Sequence, residues 1–129
     1  MNKILVEVSV GELLDKISIL EIKSEKIKDP EKLNYIKDEY KILKDQLNTN
    51  IKDYSEIESL YNSLKEINSK LWVIEDDKRL CENNSEFGEK FIKLSRDVHF
   101  LNDDRARLKL EINDKTGSKI REIKQYTKY

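Results

Sequence analysis

Apolar residues in this chain recur in alternating steps of three and four along four separate stretches. The first carries Val10, Leu13, Ile17, Leu20 and Ile27, with Ser24 in register, and the second Leu33, Ile36, Tyr40, Leu43 and Leu47. The third carries Ile57, Leu60, Leu64, Ile67, Leu71 and Ile74, and the fourth Phe87, Phe91, Leu94, Val98, Leu101, Leu108 and Ile112, with Arg105 in register. Such spacing gathers side chains onto one face of a helix, where an alternating strand would split them between two faces. Four helices, each with one apolar stripe, bury those stripes by packing on one another. The expected fold is therefore all-α: an antiparallel four-helix bundle, or a pair of long helical hairpins with heptad-like packing.

Local signals place the ends. Ser9 and Glu12 have the spacing of a capping box, so the first helix is expected over about 10–28. Asp29-Pro30 supplies an N-cap and a first-turn proline for a second helix over about 30–48. Ser55 and Glu58 repeat the capping-box spacing and predict a third helix over about 55–82. Ser85 is the expected cap of a fourth helix over about 85–115, with Gly117 as its left-handed stop. Residues 3–8, Lys-Ile-Leu-Val-Glu-Val, read as a short extended lead-in with room for one strand. The tail, 118–129, has room for one more short helix around Ile120 and Ile123. No repeat or long linker divides residues 1–129, so one domain is expected.

Charged residues (40%) outnumber hydrophobic ones (37%), yet the net charge is only −1. A near-neutral chain is not expected to bind nucleic acid or anionic membranes in general. No apolar run reaches the ~18 residues of a membrane span, and the cytoplasm is the default compartment. Cys81 is the single cysteine, which excludes an internal disulfide and a multi-cysteine zinc site; it reads as a buried thiol.

Two helices are apolar beyond their main stripe. The first adds Ile19 and Ile22, the fourth Ile92, Ala106 and Leu110. A helix apolar on two sides is either central or covered by a partner, so self-association is expected.

Arg105 interrupts the fourth stripe. A charge there needs partners, because desolvation without them costs several kcal/mol. Asn102 and Lys109 flank it on the same side at 100° per residue. Asn68 and Glu75 lie on or beside the third stripe, and Glu21 beside the first. Pairing of Arg105 with Glu75 and Glu21 is the simplest arrangement. The arginines are also unevenly placed: residues 1–78 hold thirteen lysines and no arginine, whereas Arg79, Arg96, Arg105, Arg107 and Arg121 follow. Arginine's planar fork suits carboxylate and phosphate. Arg105, Glu75, Glu21, Lys109, Asn102, Arg79, Arg96 and Asn68 are thus the candidate ligand-binding residues. They admit two readings: a salt-bridge network that fixes helix register, or a pocket for a small anion.

Other chemistry is thinner. Glu12 with Asp15, Glu75-Asp76 and Asp103-Asp104 are the carboxylates available for Mg²⁺. The paired acidic helices of helical nucleotide pyrophosphatases do not occur in that order here, and no cofactor is expected. His99, the only histidine, has Asp103 one turn on and reads as structural. Trp72 sits at the edge of its stripe, placed for core-edge packing or for stacking on a ligand.

The run Val8-Ser9-Val10-Gly11-Glu12-Leu13-Leu14-Asp15-Lys16-Ile17-Ser18-Ile19-Leu20-Glu21-Ile22-Lys23 resembles the opening signature of a family of small all-helical bacterial and phage proteins of unknown function. Leu71-Trp72-x-Ile74-Glu75-Asp76 with Arg79, Arg96-x-Val98, Asn102-Asp103-x-Arg105-Ala106-x-Leu108-Lys109 and Ile112-Asn113 are similar to its later blocks. The resemblance covers the first, third and fourth helices and implies that the polar residues named above belong to the signature; it implies no activity. The expected function is a non-enzymatic helical module that self-associates and binds a small phosphate- or carboxylate-bearing, nucleotide-like ligand. The alternatives are a metal-dependent nucleotide or phosphate-ester hydrolase and a coiled-coil-like interaction scaffold.

Overall fold

In a computed structural model, which describes residues 3–125 and 127–128, the chain forms four helices: α1 (Val10–Lys26), α2 (Pro30–Asn50), α3 (Glu58–Asn83) and α4 (Glu89–Thr116). No strand occurs among the described residues, and no described helix is long and apolar enough to cross a membrane. The Ser9 hydroxyl accepts from the Glu12 amide at 3.0 Å and starts α1. The Asp29 carboxylate accepts from the Glu31 amide at 3.0 Å, with Pro30 in the first turn, and starts α2. Both are the side-chain caps that the sequence predicts.

Two expected starts are corrected. Ser55 does not open α3. Asp53 caps a one-turn 3-10 helix over Tyr54–Glu56, and α3 begins after it at Glu58. Asp53 outcompetes Ser55 because its carboxylate, two residues earlier, accepts from both the amide and the hydroxyl of Ser55. Nor does Ser85 cap α4. It is the left-handed residue that ends α3, at φ 54°. Its amide donates to the Glu82 carbonyl and the Glu86 amide to the Cys81 carbonyl, the paired closing bonds of a Schellman turn. α4 starts only at Glu89, preceded by Gly88 and without a side-chain cap. Gly117 closes α4 in the same way, at φ 65°, with Ser118 donating to the Asn113 carbonyl at 2.9 Å. Residues 3–8 form no strand. Residues 118–125 form no further helix; Tyr126 and Tyr129, at the end of the expected tail, lie outside the described residues.

α1 is the hub and packs on α2, α3 and α4, while α2 rests chiefly on α1. Leu14 and Ile17 of α1, Leu47 of α2, Tyr61 and Leu64 of α3, and Leu108 and Ile112 of α4 form one core with Ile57. α3 and α4 make a long antiparallel hairpin of about 39 and 42 Å at ~1.5 Å per residue. Burial concentrates in its base. Between Trp72 and Arg107 only Cys81 is fully buried. The central place of α1 explains its second apolar side: Ile22 is buried within one chain and needs no partner. Ile92 and Leu110 of α4 remain exposed.

Candidate functional site

α1 has a second buried stripe that hydropathy alone hides. Gly11, Asp15, Ser18 and Ile22 follow steps of four, three and four, and all four are buried. Gly11 lets α1 approach α4 closely: a Cβ there would lie 2.5 Å from the Lys109 carbonyl oxygen and 3.0 Å from Asn113 Oδ1. The Gly11 amide instead donates to Asn113 Oδ1 at 2.7 Å. This contact brings Asp15, one turn along, against α4.

Asp15 is 1% exposed and is the centre of the polar cluster. Its Oδ1 accepts from Arg105 Nε at 2.9 Å and its Oδ2 from Arg105 Nη2 at 2.5 Å. Asn68 Nδ2 donates to the same Oδ1 at 2.9 Å and to Ser18 Oγ at 2.8 Å, while Ser18 donates to the Asp15 carbonyl at 2.7 Å. Three helices therefore meet on one carboxylate. Burial pushes the Asp15 pKa up, but hydrogen bonds from Arg105 and Asn68 and the nearby positive charges outweigh it and hold the group below the ordinary carboxylate value. Among the described residues no buried side-chain nitrogen or oxygen lacks a hydrogen-bond partner.

The expected pairing of Arg105 with Glu75 and Glu21 is corrected on this geometry, since Asp15 takes the guanidinium. Glu21 instead accepts from the Tyr61 hydroxyl and from Lys65 Nζ at 3.2 Å. Burial and the Glu21 charge raise the Tyr61 pKa and keep the phenol protonated. Lys109 is also drawn away from Arg105. Its ammonium is buried between Glu12 Oε2 at 2.6 Å and Glu122 Oε2 at 2.8 Å, so a residue of the tail closes over α4. Burial works against that ammonium, and the two carboxylates outweigh it, raising its pKa.

Beside the cluster lies a cavity of about 400 Å³ between α1, α3 and α4. Arg105, Arg79, Glu75 and Asn68 line it together, so four of the eight candidate residues share one site. Trp72 and Asp76 join them, with Ile19, Ile22 and Leu71 as its apolar wall. Glu21, Lys109, Asn102 and Arg96 are not in the lining; Arg96 is exposed and Asn102 half-buried. The pair to Asp15 engages Nε and Nη2 of Arg105, and because the guanidinium is planar this also fixes the direction of Nη1. The Arg105 side chain is 30% exposed, against 2% for Asp15.

Of the carboxylates that might have held a metal, Asp15 is paired with Arg105 and Glu12 with Lys109, while Glu75 and Asp76 line the cavity. Among the described residues no three His, Cys, Asp or Glu side chains gather as a metal site. The sequence reading names Asp15 only as a candidate metal carboxylate and misses it as the partner of Arg105, because it lies off the main stripe. The spacing Gly11-Asp15-Ser18-Ile22 is the signal that could have found it.

The chain matches, over residues 4–129, the model of a family of unknown function, DUF6165, and belongs to that family. No curated protein and no solved structure matches it.

Proposed function

We propose that this DUF6165 protein is a non-enzymatic helical module that binds a small nucleotide-like ligand in the cavity between α1, α3 and α4. The observation that carries the reading is Arg105. Asp15 holds two of its guanidinium nitrogens in the buried cluster, while the side chain also lines the cavity beside Arg79. An arginine fixed in this way presents donors with little ordering left to lose, which suits a phosphate or carboxylate. The cavity's volume, about 400 Å³, falls within the range of roughly 300–1,000 Å³ usual for small-molecule sites.

The other lining groups narrow the class. With Asp15 already paired to Arg105, Glu75 and Asp76 beside Arg79 leave the site no net positive charge, so a bare anion gains little from the net field. A ligand that combines an anionic group with hydrogen-bond donors uses both sets. Trp72 adds an aromatic surface for a planar ring. A nucleoside monophosphate has all three features.

Isothermal titration calorimetry with the purified full chain tests this. The probes are a set of nucleoside 5′-monophosphates, the matching nucleosides and inorganic phosphate. At least one nucleotide binds, and both its nucleoside and phosphate bind more weakly. Arg79→Ala, at an exposed position, weakens binding about tenfold or more, the scale of one charge-assisted hydrogen bond, with an unchanged circular dichroism spectrum. Failure of every nucleotide to bind at millimolar concentration, or equal binding by Arg79→Ala, overturns the reading.

A further inference from the structure

The polar groups of the ligand cavity are ordered along α3. Arg105 and Asn68 both donate to Asp15 Oδ1, so the guanidinium stands level with Asn68. From there Trp72, Glu75 and Arg79 follow at successive turns of α3, and all three line the cavity. At ~100° per residue Asn68, Trp72, Glu75 and Arg79 share an arc of about 60°, and Asp76 falls outside it. Glu75 is therefore the carboxylate in line with the others, about 10 Å along α3 from Asn68 at ~1.5 Å per residue.

Glu75 and Arg79 are not spent on each other. Glu66 and Lys70, with the same spacing of four on α3, pair at 3.5 Å. Glu75 and Arg79 make no ion pair among the described residues, although a Glu four residues before a cation is the favourable order. The cavity thus presents a carboxylate acceptor and a guanidinium donor on adjacent turns, both exposed.

We infer that the cavity takes a guanine nucleotide and that Glu75 and Arg79 read its base. The inference rests on the nucleotide reading above and adds the identity of the base. A ring stacked on Trp72 has Arg105 on one side for its phosphate and Glu75 with Arg79 on the other for its edge. An arginine for phosphate, an aromatic platform and a pair for the base edge follow one another as the groups of a nucleoside monophosphate do. Guanine alone of the common bases has two adjacent donors on its pairing edge, N1–H and the N2 amine, which one carboxylate accepts together. Its O6 and N7 are the acceptors that arginine's fork engages. Adenine reverses the pattern, with an amine at C6 and an acceptor at N1. Cytosine offers an amine beside an acceptor, and uracil one N–H between two carbonyls. Each of these three gives a carboxylate only one donor.

Isothermal titration calorimetry on the full chain tests the assignment, with the 5′-monophosphates of guanosine, inosine, adenosine, cytidine and uridine as probes. Inosine monophosphate, IMP, differs from GMP only in lacking the N2 amine. GMP is expected to bind about tenfold or more tighter than each of the other four, the scale of one charge-assisted hydrogen bond. Glu75→Gln, at an exposed position, keeps the circular dichroism spectrum and narrows the ratio of GMP to IMP affinity to within about threefold. Two results overturn the guanine assignment and leave the nucleotide reading standing. One is another of the five binding as tightly as GMP. The other is a Glu75→Gln protein with an unchanged GMP-to-IMP ratio. Failure of all five to bind at millimolar concentration overturns both.

Discussion

Asp15 and Arg105 stand 90 residues apart in the chain and meet through two parallel hydrogen bonds, yet they are not equally buried. The Asp15 side chain is 2% exposed and that of Arg105 30%. The carboxylate is the captive partner, and the arginine retains a route to water. This asymmetry orders the cost of removing either one. Arg105→Met leaves a buried carboxylate with Asn68 as its remaining side-chain donor and is expected to cost about 3–5 kcal/mol. Asp15→Ala lets the guanidinium turn outward and is expected to cost less, about 1–3 kcal/mol. Urea denaturation of the two variants measures the order; a larger loss for Asp15→Ala would show the arginine to be the trapped charge.

The same pair sets an acid limit. Burial raises the Asp15 pKa, and Arg105, Asn68 and the neighbouring positive charges bring it below its ordinary value. A carboxyl with a depressed folded pKa contributes stability that is present above its unfolded pKa, near ~3.9, and is lost as pH falls through the folded value. Wild-type stability from this pair should hold down to about pH 4 and fall below it. In Arg105→Met the largest lowering influence is gone and burial dominates, so the folded pKa moves above the unfolded one and the sign reverses: acidification protonates the stranded carboxylate and should restore part of the variant's lost stability before the general acid limb is reached. Chemical denaturation from neutral to acid pH follows both curves; a variant whose stability only falls on acidification counts against Asp15 as the stranded charge.

Gly11 shows how a residue without a side chain fixes the cluster. Alanine is the better helix former by about 1 kcal/mol, so helix propensity alone predicts that Gly11→Ala stabilises α1. Packing predicts the opposite. The new methyl would stand 2.5 Å from the Lys109 carbonyl oxygen, a backbone atom that cannot swing aside. α1 must shift from α4, at a cost of about 1–3 kcal/mol, and the shift strains the Asp15–Arg105 geometry next to it. Gly88→Ala, with nothing within 4 Å of its Cβ and a negative φ, is the control and should change stability by less than about 0.5 kcal/mol. Thermal melts of the two variants separate propensity from packing.

The stripes were legible in the sequence because burial of a helix face leaves a period, and Ile17, Leu47, Leu64 and Ile112, one on each helix, keep to it and are buried. The interruption at Arg105 was legible too, since a charge in an apolar row stands out. Its partner was not. Asp15 and Ser18 occupy a second stripe of small and polar residues, which reads as surface until α1 is known to be the hub. Glu21 and Glu75 lay nearer the main stripes, but angle about one helix axis carries no information on which neighbour stands opposite. Ser85 misled for a related reason. A serine before a helix suits an N-cap, and only the chain reversal shows that it belongs to the end of α3.

That reversal supports a last expectation. Ser85 is the sole described non-glycine residue with positive φ, at 54°, and its amide closes on the Glu82 carbonyl at 3.2 Å. An L side chain in this region crowds its own carbonyl, at a cost of roughly 1–2 kcal/mol that glycine avoids. Glycine also gains freedom in the unfolded chain, which returns part of that difference, a few tenths up to about 1 kcal/mol. The net expectation for Ser85→Gly is a gain of about 0.5–1 kcal/mol, since the two closing backbone bonds need no side chain. Ser85→Val, branched at Cβ, should instead destabilise, because its second γ carbon adds to the crowding. Paired urea melts give the sign of each change. A destabilised Ser85→Gly would mean that the serine hydroxyl supports the turn more strongly than backbone strain opposes it.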